Sequence, residues 1–490
     1  MTRPVRTRYA PSPTGDPHIG NIRTALFAWA LARANNGSFL VRIEDTDQKR
    51  LVDNSVERIL ESLRWLKLHW DEGPDLGGPH APYRQSERLH LYQDAATRLL
   101  EAGRAYRCFC TSERLDDLRA RQAAAKQPPG YDGHCRSVPP EEASKRAESE
   151  PSVVRFRMSD VGATTFDDAI RGAVTFENAL QDDFVALKSD GYPTYHLAAI
   201  LDDHLMEISH VIRGEEWLSS APKHLQLMEA LGIEPPVYAH LPVVHGPDHK
   251  KLSKRTGDTA ALEYRDKGYL PDAMVNFLAL LGWSLDDKTT IIPPDVFATE
   301  FTIERVVPNP AIFDIERLNY LNGQYIRGLD DAEWERIVIE WCEKDLPADI
   351  ARPLDESLLR QAAPLLKERV GRLDEIAGLA HFLFTYEALP YDASLLVERA
   401  GGDQGTAVRI LDAALLALDD LGDDQWDRDQ VEAAIRGLQD TLELKLRKFI
   451  SVLYVAEMGS PQGIPLFDSL VLLGRERSIQ RLRTARQRLD

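Results

Sequence analysis

The segment APSPTGDPHIGN, residues 10–21, is rich in proline and glycine and leads directly into a helical pattern. Before it, residues 5–9 alternate in the manner of a short strand, and apolar residues from Ile19 onward recur at helical spacing. Residues 39–43 then form a second strand pattern. The order strand, tight loop, helix, strand predicts a βαβ unit with parallel strands. A loop that leads into a helix N-terminus favours an anionic ligand, because free N–H groups and the helix dipole face it.

The composition limits the classes of protein to which the chain can belong. A chain of 490 residues is too long for a single hydrophobic core, so more than one domain is expected. Its 43% hydrophobic and 28% charged residues are typical of globular proteins. No apolar stretch approaches the roughly 18 residues of a membrane span, and no signal-peptide core follows the first residues. Four cysteines do not form a disulfide framework. The net charge of −19 argues against a broad nucleic-acid-coating surface but leaves room for local basic tracks. We expect a cytoplasmic protein without a membrane partner.

The pattern of the sequence changes several times along the chain. The first part alternates strand and helix, the next holds three of the four cysteines among short strands, and alternation then returns. From about residue 330 nearly every segment has helical spacing. We therefore predict a split α/β domain with an α+β insertion, a connecting region and a helical second half. The predicted boundaries are 1–95 and 191–250 for the α/β halves, 96–190 for the insertion, 251–330 for the connecting region and 331–490 for the helices.

A second motif, GPDHKKLSKRTG at residues 246–257, places several lysines between two glycines after a strand pattern. Lysine is a mobile point charge, so Lys251 and Lys254 suit a triphosphate whose charge shifts during reaction. Each motif alone has an ordinary interpretation, as a capping segment with a solvated His18 or as a solvated basic loop. Together they indicate a nucleotide site in which His18 contacts phosphate and Gly20 lets the nucleotide approach the backbone.

These motifs resemble the signatures of a known enzyme class. HIGN at residues 18–21 resembles the HIGH signature, and KLSKR at 251–255 the KMSKS signature, of class I aminoacyl-tRNA synthetases. The chain is also similar, in order, to blocks of bacterial glutamyl-tRNA synthetases. The blocks are RYAPSPTG (8–15), RIEDTD (42–47), YRQSER (83–88), DGYPTYH (190–196), VIRGEEW (211–217) and LNGQYIR (321–327). The helical remainder fits the anticodon-binding half of that family, so the resemblance covers essentially the whole chain.

The resemblance implies a fold and a reaction. The fold is an α/β Rossmann-like catalytic domain with an α+β insertion that contacts the tRNA acceptor end, followed by an all-α anticodon-binding half. The reaction is ATP-dependent ligation of L-glutamate to tRNA(Glu) through glutamyl-adenylate, with ATP and Mg²⁺ as substrate and release of AMP and pyrophosphate. The alternative is a non-discriminating form that also charges tRNA(Gln). The expected protein is a monomer.

The resemblance also assigns catalytic and ATP-binding residues. No side-chain nucleophile is needed, so His18, Lys251 and Lys254 would act by positioning and charge stabilisation. Glu216 and Trp217 would lie beside the adenosine, where the ordinary interpretations are a solvated carboxylate and a core aromatic. The implied ATP-binding set is His18, Gly20, Glu216, Trp217 and Lys254.

Glutamate requires cations for its two carboxylates and an anion for its ammonium group. Arg8, Arg213 and Glu44 each lie at a strand end, so they would converge at the carboxyl edge of one parallel sheet. Ser12 and Tyr195 would supply hydroxyl groups. Which arginine binds which carboxylate remains open. For Arg42, Asp45 and Asp47 we expect solvated or structural salt-bridge roles.

Three cysteines resemble a zinc site found in some members of the family. Cys108 and Cys110 form a C-x-C pair and Cys135 follows, which is a reasonable start for tetrahedral zinc. The fourth ligand is open: Ser137 stands where some relatives place His, and Tyr131 or the adjacent His134 could substitute. The alternative is a set of three reduced cysteines without metal.

The basic segments of the helical half are candidates for tRNA contact. The arginines between residues 475 and 488 recur at three- and four-residue steps and would lie along one helix face. Lys367, Arg369 and Arg372 form a second cluster on a candidate helix, and the resemblance marks Arg369 for the third anticodon base. Solvated helix surface is the alternative for both. The helical pattern argues against glutaminyl-tRNA synthetase, which ends in β-barrels, and the length argues against a truncated tRNA-modifying paralogue.

Overall fold

The protein is represented by a computed structural model that describes residues 3–250, 252, 260–385 and 389–490. The chain divides into two compact units, the first comprising Met1–Asp266 and Pro271–Leu318 and the second Lys267–Leu270 and Asn319–Asp490. Lys251 and Lys254 lie outside the described residues. Within the described ranges, no helix has the length and apolar character that a membrane span requires.

The first unit contains both strands and helices. The strands are β1 (Arg6–Tyr9), β2 (Ser38–Val41), β3 (Ala105–Cys108), β4 (Val153–Phe156), β5 (Ala163–Asp168), β6 (Gly172–Glu177), β7 (Val185–Leu187), β8 (His210–Gly214), β9 (Val237–Leu241), β10 (Val244–His245) and β11 (Ala311–Ile312). The helices are α1 (Ile19–Ala34), α2 (Ser55–Trp65), α3 (Leu89–Glu101), α4 (Ser112–Ala124), α5 (Pro140–Arg146), α6 (Tyr195–Leu205), α7 (Ala221–Leu231), α8 (Ala261–Asp266), α9 (Pro271–Leu280) and α10 (Pro294–Glu300).

The predicted βαβ unit is present at the N-terminus. β1 and β2 pair in parallel, and α1 connects them. The helix is apolar on nearly every side because it packs against β1, β2 and β8 as well as α9 and α10. A helix buried in this way holds its N-terminus, and therefore His18 and Gly20, in a fixed place.

The remaining strands of the first unit extend this arrangement into mixed sheets. β8 pairs in parallel with β9, β9 is followed by β5, and β5 forms an antiparallel hairpin with β6. β8 lies beside β1, since the Ser209 amide donates to the Arg6 carbonyl at 3.0 Å. The carboxyl ends of β1, β2 and β8 therefore open at one edge. A separate antiparallel sheet, in the order β3, β4, β7, belongs to the segment predicted as an insertion.

The second half is helical, as predicted. From residue 315 the helices are α11 (Ile315–Arg327), α12 (Asp331–Asp345), α13 (Glu356–Lys367), α14 (Ile376–Phe384), α15 (Ala393–Arg399), α16 (Gln404–Asp419), α17 (Arg428–Leu442), α18 (Leu446–Met458), α19 (Leu466–Leu473) and α20 (Arg475–Gln487). The structure shows no strand among the described residues of the second unit. One apolar core joins these helices, with Trp334 and Phe449 fully buried in it.

Two expectations for the basic segments are wrong in detail. Arg481 does not lie on an exposed face of α20: it is buried, and its guanidinium donates to the backbone carbonyls of Phe382, Thr385 and Glu457. These carbonyls need a donor, and the cation supplies it. Arg369 and Arg372 are not on a helix with Lys367, because α13 ends at Lys367.

Candidate active site

A cavity of about 1060 Å³ opens at the carboxyl ends of β1, β2 and β8. It collects most of the residues that the sequence analysis selected for ATP and glutamate. The predicted residues that line it are Arg8, Ser12, His18, Gly20, Glu44, Tyr195, Arg213, Glu216 and Trp217. Leu252, between the two lysines of the KLSKR segment, lines it as well. The convergence follows from the fold, because the loops at one edge of a parallel sheet share one crevice.

His18 is the N-cap residue of α1. Its Nδ1 accepts a hydrogen bond from the Gly20 amide at 3.0 Å. Because Nδ1 is the acceptor, a neutral ring carries its proton on Nε2, which makes Nε2 a donor. A Cβ added to Gly20 would lie 3.3 Å from His18 Nδ1, so glycine keeps this turn open. The capping role and a role toward an anionic ligand are therefore compatible in one histidine.

Arg213 is buried, with 6% of its surface exposed, at the end of β8. Its Nε donates to His240 Nε2 at 2.9 Å. Its Nη1 donates to Tyr195 Oη at 3.2 Å and lies 3.3 Å from His224 Nδ1. Its Nη2 donates to the Trp217 carbonyl at 3.3 Å. In the described part of the chain, no carboxylate lies within ion-pair distance of this guanidinium. A buried cation that has neutral neighbours and lines a cavity is a candidate site for an anionic ligand.

Arg8 belongs to a different kind of environment, a buried cluster of opposite charges. Its Nε contacts Asp203 Oδ1 at 3.0 Å, and Arg42 Nη1 contacts the same oxygen at 2.8 Å. Arg42 also donates to Glu44 Oε1 at 3.2 Å. Burial raises the pKa of Glu44, and Arg42 and Arg8 oppose that shift. The structural salt-bridge role expected for Arg42 is confirmed, and Arg8 shares its charge with Asp203.

Tyr195, Trp217 and Glu216 form the wall beside Arg213. The rings of Tyr195 and Trp217 lie 4.2 Å apart between centroids, and Trp217 remains 36% exposed toward the cavity. Glu216 is exposed, and its carboxylate lies against Gly214, where an added Cβ would collide with it. Such a half-exposed indole offers a flat surface for a base, and the site thus combines an aromatic wall with a buried cation.

The sulfur atoms of Cys108, Cys110 and Cys135 all lie within 4.8 Å of one another. The Cys110 and Cys135 sulfurs are 3.6 Å apart, close to the roughly 3.8 Å that tetrahedral zinc–thiolate geometry requires. Tyr131 Oη lies 3.4 Å from the Cys108 sulfur and 3.6 Å from the Cys110 sulfur. His134 is exposed and is not in the cluster. Tyr131 is therefore the fourth residue of this group.

Arg369 is exposed in the second unit, shortly after α13. Its neighbour Lys367 bonds the Leu329 carbonyl and Asp331, and Arg372 bonds Asp374. The side chain of Arg369 has no hydrogen bond or ion pair to the residues that the structure describes. Its guanidinium is available to a ligand.

Sequence reasoning missed three buried residues behind and beside Arg213. Asp168 ends β5, His224 lies in α7 and His240 lies in β9, and no sequence motif links them. A histidine inside the apolar strand segment VYAHL, residues 237–241, was the one available signal.

The fold and cavity are those of a class I tRNA synthetase. The family profile "tRNA synthetases class I (E and Q), catalytic domain" matches residues 4–320, and the profile "Anticodon binding domain" matches residues 337–486. A glutamate–tRNA ligase of Dehalococcoides mccartyi is 50% identical over 491 residues, which cover 100% of this chain and 99% of the relative. The chain belongs to the glutamate–tRNA ligase family.

Other relatives are similar over the same length. A glutamate–tRNA ligase of Acidothermus cellulolyticus is 46% identical and covers 98% of this chain and 95% of the relative. The solved structure of a glutamate–tRNA ligase from Elizabethkingia meningosepticum in complex with its amino acid superimposes with a TM-score of 0.86 at 33% identity. That match covers 99% of this chain and 100% of the other. The family and fold class predicted from the sequence are therefore confirmed.

Proposed function

We propose that the protein ligates L-glutamate to tRNA(Glu) in two steps, as a cytoplasmic monomer that uses ATP and Mg²⁺. In the first step an oxygen of the glutamate α-carboxylate attacks the α-phosphorus of ATP, glutamyl-adenylate forms and pyrophosphate leaves. In the second step a hydroxyl of the terminal tRNA ribose attacks the acyl carbon, loses its proton and displaces AMP. Family membership supports the substrates, and the observation that carries the proposal is the buried, uncompensated Arg213 in the cavity.

Arg213 and Arg8 are the proposed cations for the glutamate carboxylates. They are not equivalent, because Arg8 already faces Asp203 and Arg213 bonds only neutral atoms. We expect Arg213 to contribute more to glutamate binding, since a carboxylate there meets a full positive charge in a dry pocket. Ser12, exposed at the cavity, and Tyr195 add hydroxyl groups.

Glu44 is the proposed partner of the glutamate ammonium group. Burial raises its pKa, so an incoming cation favours the ionised carboxylate. Arg42 contacts Oε1 of this carboxylate, which leaves Oε2 for the ammonium group. The cluster around Arg42 therefore holds Glu44 in place.

The phosphates of ATP are proposed to lie at the N-terminus of α1. His18 donates from Nε2, and the helix dipole favours negative charge there. Glu216 and Trp217 are proposed to lie beside the adenosine. Lys251 and Lys254 are proposed, on the sequence motif alone, to stabilise the leaving pyrophosphate.

The test is ATP–pyrophosphate exchange with glutamate and with glutamine, each in the presence and absence of tRNA. We expect exchange with glutamate and none with glutamine, because a neutral amide leaves a buried guanidinium without a counterion. Comparing reactions with and without tRNA establishes whether tRNA is needed for adenylate formation. Absence of glutamate-dependent exchange under all four conditions would contradict the proposal.

The non-discriminating form is the second candidate, in which tRNA(Gln) is charged with glutamate too. The helical half bears on this choice, since the anticodon-binding profile covers residues 337–486 and thus Arg369. An exposed arginine without a partner suits an unstacked base of single-stranded RNA. Aminoacylation of purified tRNA(Glu) and tRNA(Gln) separates the two forms.

For the insertion, residues 96–190, we propose contact with the tRNA acceptor end and a zinc ion on Cys108, Cys110, Tyr131 and Cys135. The zinc would supply no chemistry to the reaction and would hold the loop that carries Tyr131 against the sheet. Metal analysis should find about one zinc per chain, lost in Cys108→Ser. The matched control is Cys342→Ser, a buried cysteine of the second unit, which should keep the metal. A folded protein with three titratable thiols and no zinc would contradict this part.

A further inference from the structure

Behind Arg213, a buried aspartate and a buried histidine form a hydrogen-bonded row across the sheet. Asp168 ends β5, His240 lies in β9 and Arg213 in β8, and the register of β8 and β9 pairs Arg213 with His240. Asp168 Oδ2 is 2.6 Å from His240 Nδ1, and His240 Nε2 is 2.9 Å from Arg213 Nε. The side chains of Asp168 and His240 are both fully buried. The order of the strands, β5, β9, β8, sets the order of the row.

The surroundings of Asp168 determine which nitrogen of His240 carries the proton. The carboxylate also accepts from the backbone amides of Ile170, Arg171 and His240, so only donors face it. Burial alone would raise the pKa of Asp168, but these hydrogen bonds and the one from His240 lower it. An ionised Asp168 requires a proton on His240 Nδ1. His240 Nε2 then carries a lone pair and accepts the hydrogen bond that the Nε–H group of Arg213 donates.

The other contacts of Arg213 follow the same rule. Its neighbours Tyr195 Oη, His224 Nδ1 and the Trp217 carbonyl are uncharged acceptors. Burial, with the charge of Arg213, lowers the pKa of His224 well below its ordinary value, so this ring is neutral too. An aspartate in direct contact would neutralise the guanidinium. An imidazole between the two orients Arg213 and keeps the negative charge one ring further away.

We propose that Asp168 and His240 are positioning residues for Arg213, which orient its guanidinium toward the ligand carboxylate without cancelling its charge. The inference rests on the proposed function, in which Arg213 binds glutamate. It assigns no contact with substrate to Asp168 or His240. Together they supply a hydrogen-bond acceptor to Arg213: Asp168 fixes the tautomer of His240, and His240 Nε2 then accepts from the Nε–H group of Arg213.

Asp168→Asn tests the tautomer with little change of volume. The Asn oxygen would accept the backbone amides, and its NH₂ group would face His240 Nδ1, which would then become an acceptor. The proton of His240 would move to Nε2. Two donors, His240 Nε2–H and Arg213 Nε–H, would then face each other, and the hydrogen bond between them would be lost. We expect the KM for glutamate in ATP–pyrophosphate exchange to rise about 10- to 100-fold, with the KM for ATP unchanged.

The matched control is Asp183→Asn. Asp183 is also buried and accepts from Tyr106 Oη at 2.7 Å and from the Met158 amide at 2.8 Å, in the insertion. Its substitution removes a buried carboxylate without touching the row, so the KM for glutamate should stay that of the wild type. A rise of equal size in both variants would assign the effect to general destabilisation and overturn the proposal.

A second variant and a spectroscopic measurement make the test independent of how well Asp168→Asn folds. His240→Phe keeps a ring but removes the acceptor, and it should raise the KM for glutamate in the same way. In the wild type, two-bond ¹H–¹⁵N correlation spectra should show His240 protonated at Nδ1 alone. Protonation at Nε2, or an unchanged glutamate KM in both variants, overturns the proposal. Lack of any glutamate-dependent exchange in the wild type would instead overturn the proposed function and leave the tautomer assignment standing.

Discussion

In the first unit several buried charges form opposite pairs, whereas in the second unit a buried carboxylate has no hydrogen-bond partner among the described residues. Arg8 and Arg42 share Asp203, and Arg42 also holds Glu44. Glu457, in α18, is fully buried, and both oxygens of its carboxylate lack hydrogen bonds. Burial raises the pKa of Glu457 well above its ordinary value, with Arg481 opposing the shift.

Two buried arginines without an ion pair among the described residues, Arg213 in the first unit and Arg481 in the second, differ in what surrounds them. Arg213 bonds neutral groups beside a cavity, so its charge is available to a ligand. Arg481 bonds backbone carbonyls inside a helical core, and burial lowers its pKa to about 10. Both are buried cations, and only the one at a cavity predicts binding. A buried charge therefore indicates a site when a cavity reaches it, and otherwise it bears on stability.

The largest expected effect is on the paired charges. Asp203→Asn removes the carboxylate that Arg8 and Arg42 share and should lower the free energy of unfolding by about 3–5 kcal/mol. Chemical denaturation at neutral pH measures this loss. The control is Asp272→Asn, since the exposed pair of Asp272 with Lys67 contributes at most about 1 kcal/mol. Equal losses in the two variants would contradict the role of burial.

The same variant has a defined pH dependence. Burial raises the pKa of Asp203, but Arg8 and Arg42 outweigh it and leave the pKa below its ordinary value. A lowered folded-state pKa contributes stability that is fully present above the unfolded pKa of about 3.9 and is lost as the pH falls through the folded pKa. The difference between wild type and Asp203→Asn should thus be constant near neutral pH and shrink below about pH 4.

Arg213→Ala should affect catalysis more than stability. Removing this buried cation, which forms no ion pair with the described residues, leaves a glutamate carboxylate unpaired, and kcat/KM for glutamate should fall by the equivalent of about 2–5 kcal/mol. Steady-state exchange kinetics with varied glutamate measure the effect. Arg481→Ala is the counterpart: it should lower the melting temperature and leave the KM for glutamate unchanged. Unchanged glutamate kinetics in Arg213→Ala would move recognition to other residues.

Glu457→Gln should stabilise the protein, by about 1–3 kcal/mol at pH 8. The folded-state pKa of Glu457 is raised, so below the unfolded pKa of about 4.3 the carboxyl is neutral in both states and costs nothing by ionisation. As the pH rises, the unfolded chain releases the proton and the folded chain resists, so wild-type stability falls until the folded pKa is passed. Thermal melts between pH 4 and 8 should show the gain growing with pH. Glu398→Gln, at an exposed position, should show no such trend.

The smallest expected change in stability is at Arg369. Because this side chain is exposed and unpaired, Arg369→Gln should change the free energy of unfolding by less than about 0.5 kcal/mol. It should relax discrimination between tRNA(Glu) and tRNA(Gln) in aminoacylation and leave ATP–pyrophosphate exchange intact. Arg336→Gln, an exposed arginine of α12, controls for loss of nonspecific phosphate contact. Equal charging ratios in wild type and Arg369→Gln would remove Arg369 from anticodon recognition.

The sequence was sufficient to predict the βαβ unit and nine of the residues that line the cavity. The βαβ unit follows from local signals, because the APSPTGDPHIGN loop lies between strand and helix patterns, and Arg8, Glu44 and Arg213 lie at strand ends. Glu216 and Trp217 came from the resemblance to the family. The row behind Arg213 was not predictable, since Asp168 and His240 meet only through the strand order β5, β9, β8. Arg481 was misjudged because α20 is strongly polar in sequence, and only the packing around it shows that its guanidinium is buried.

The position of β8 beside β1 determines when the N-terminal strand can complete its pairing during synthesis. The amide of Arg6 bonds the hydroxyl of Ser209, 203 residues further along the chain. At about 5–20 residues per second, a ribosome needs roughly 10–40 s to make the intervening segment. During that interval β1 has β2 on one side and an unpaired edge on the other, and α1 lacks part of its covering. We therefore expect the apolar N-terminal helix to stay partly uncovered on the nascent chain until β8 emerges.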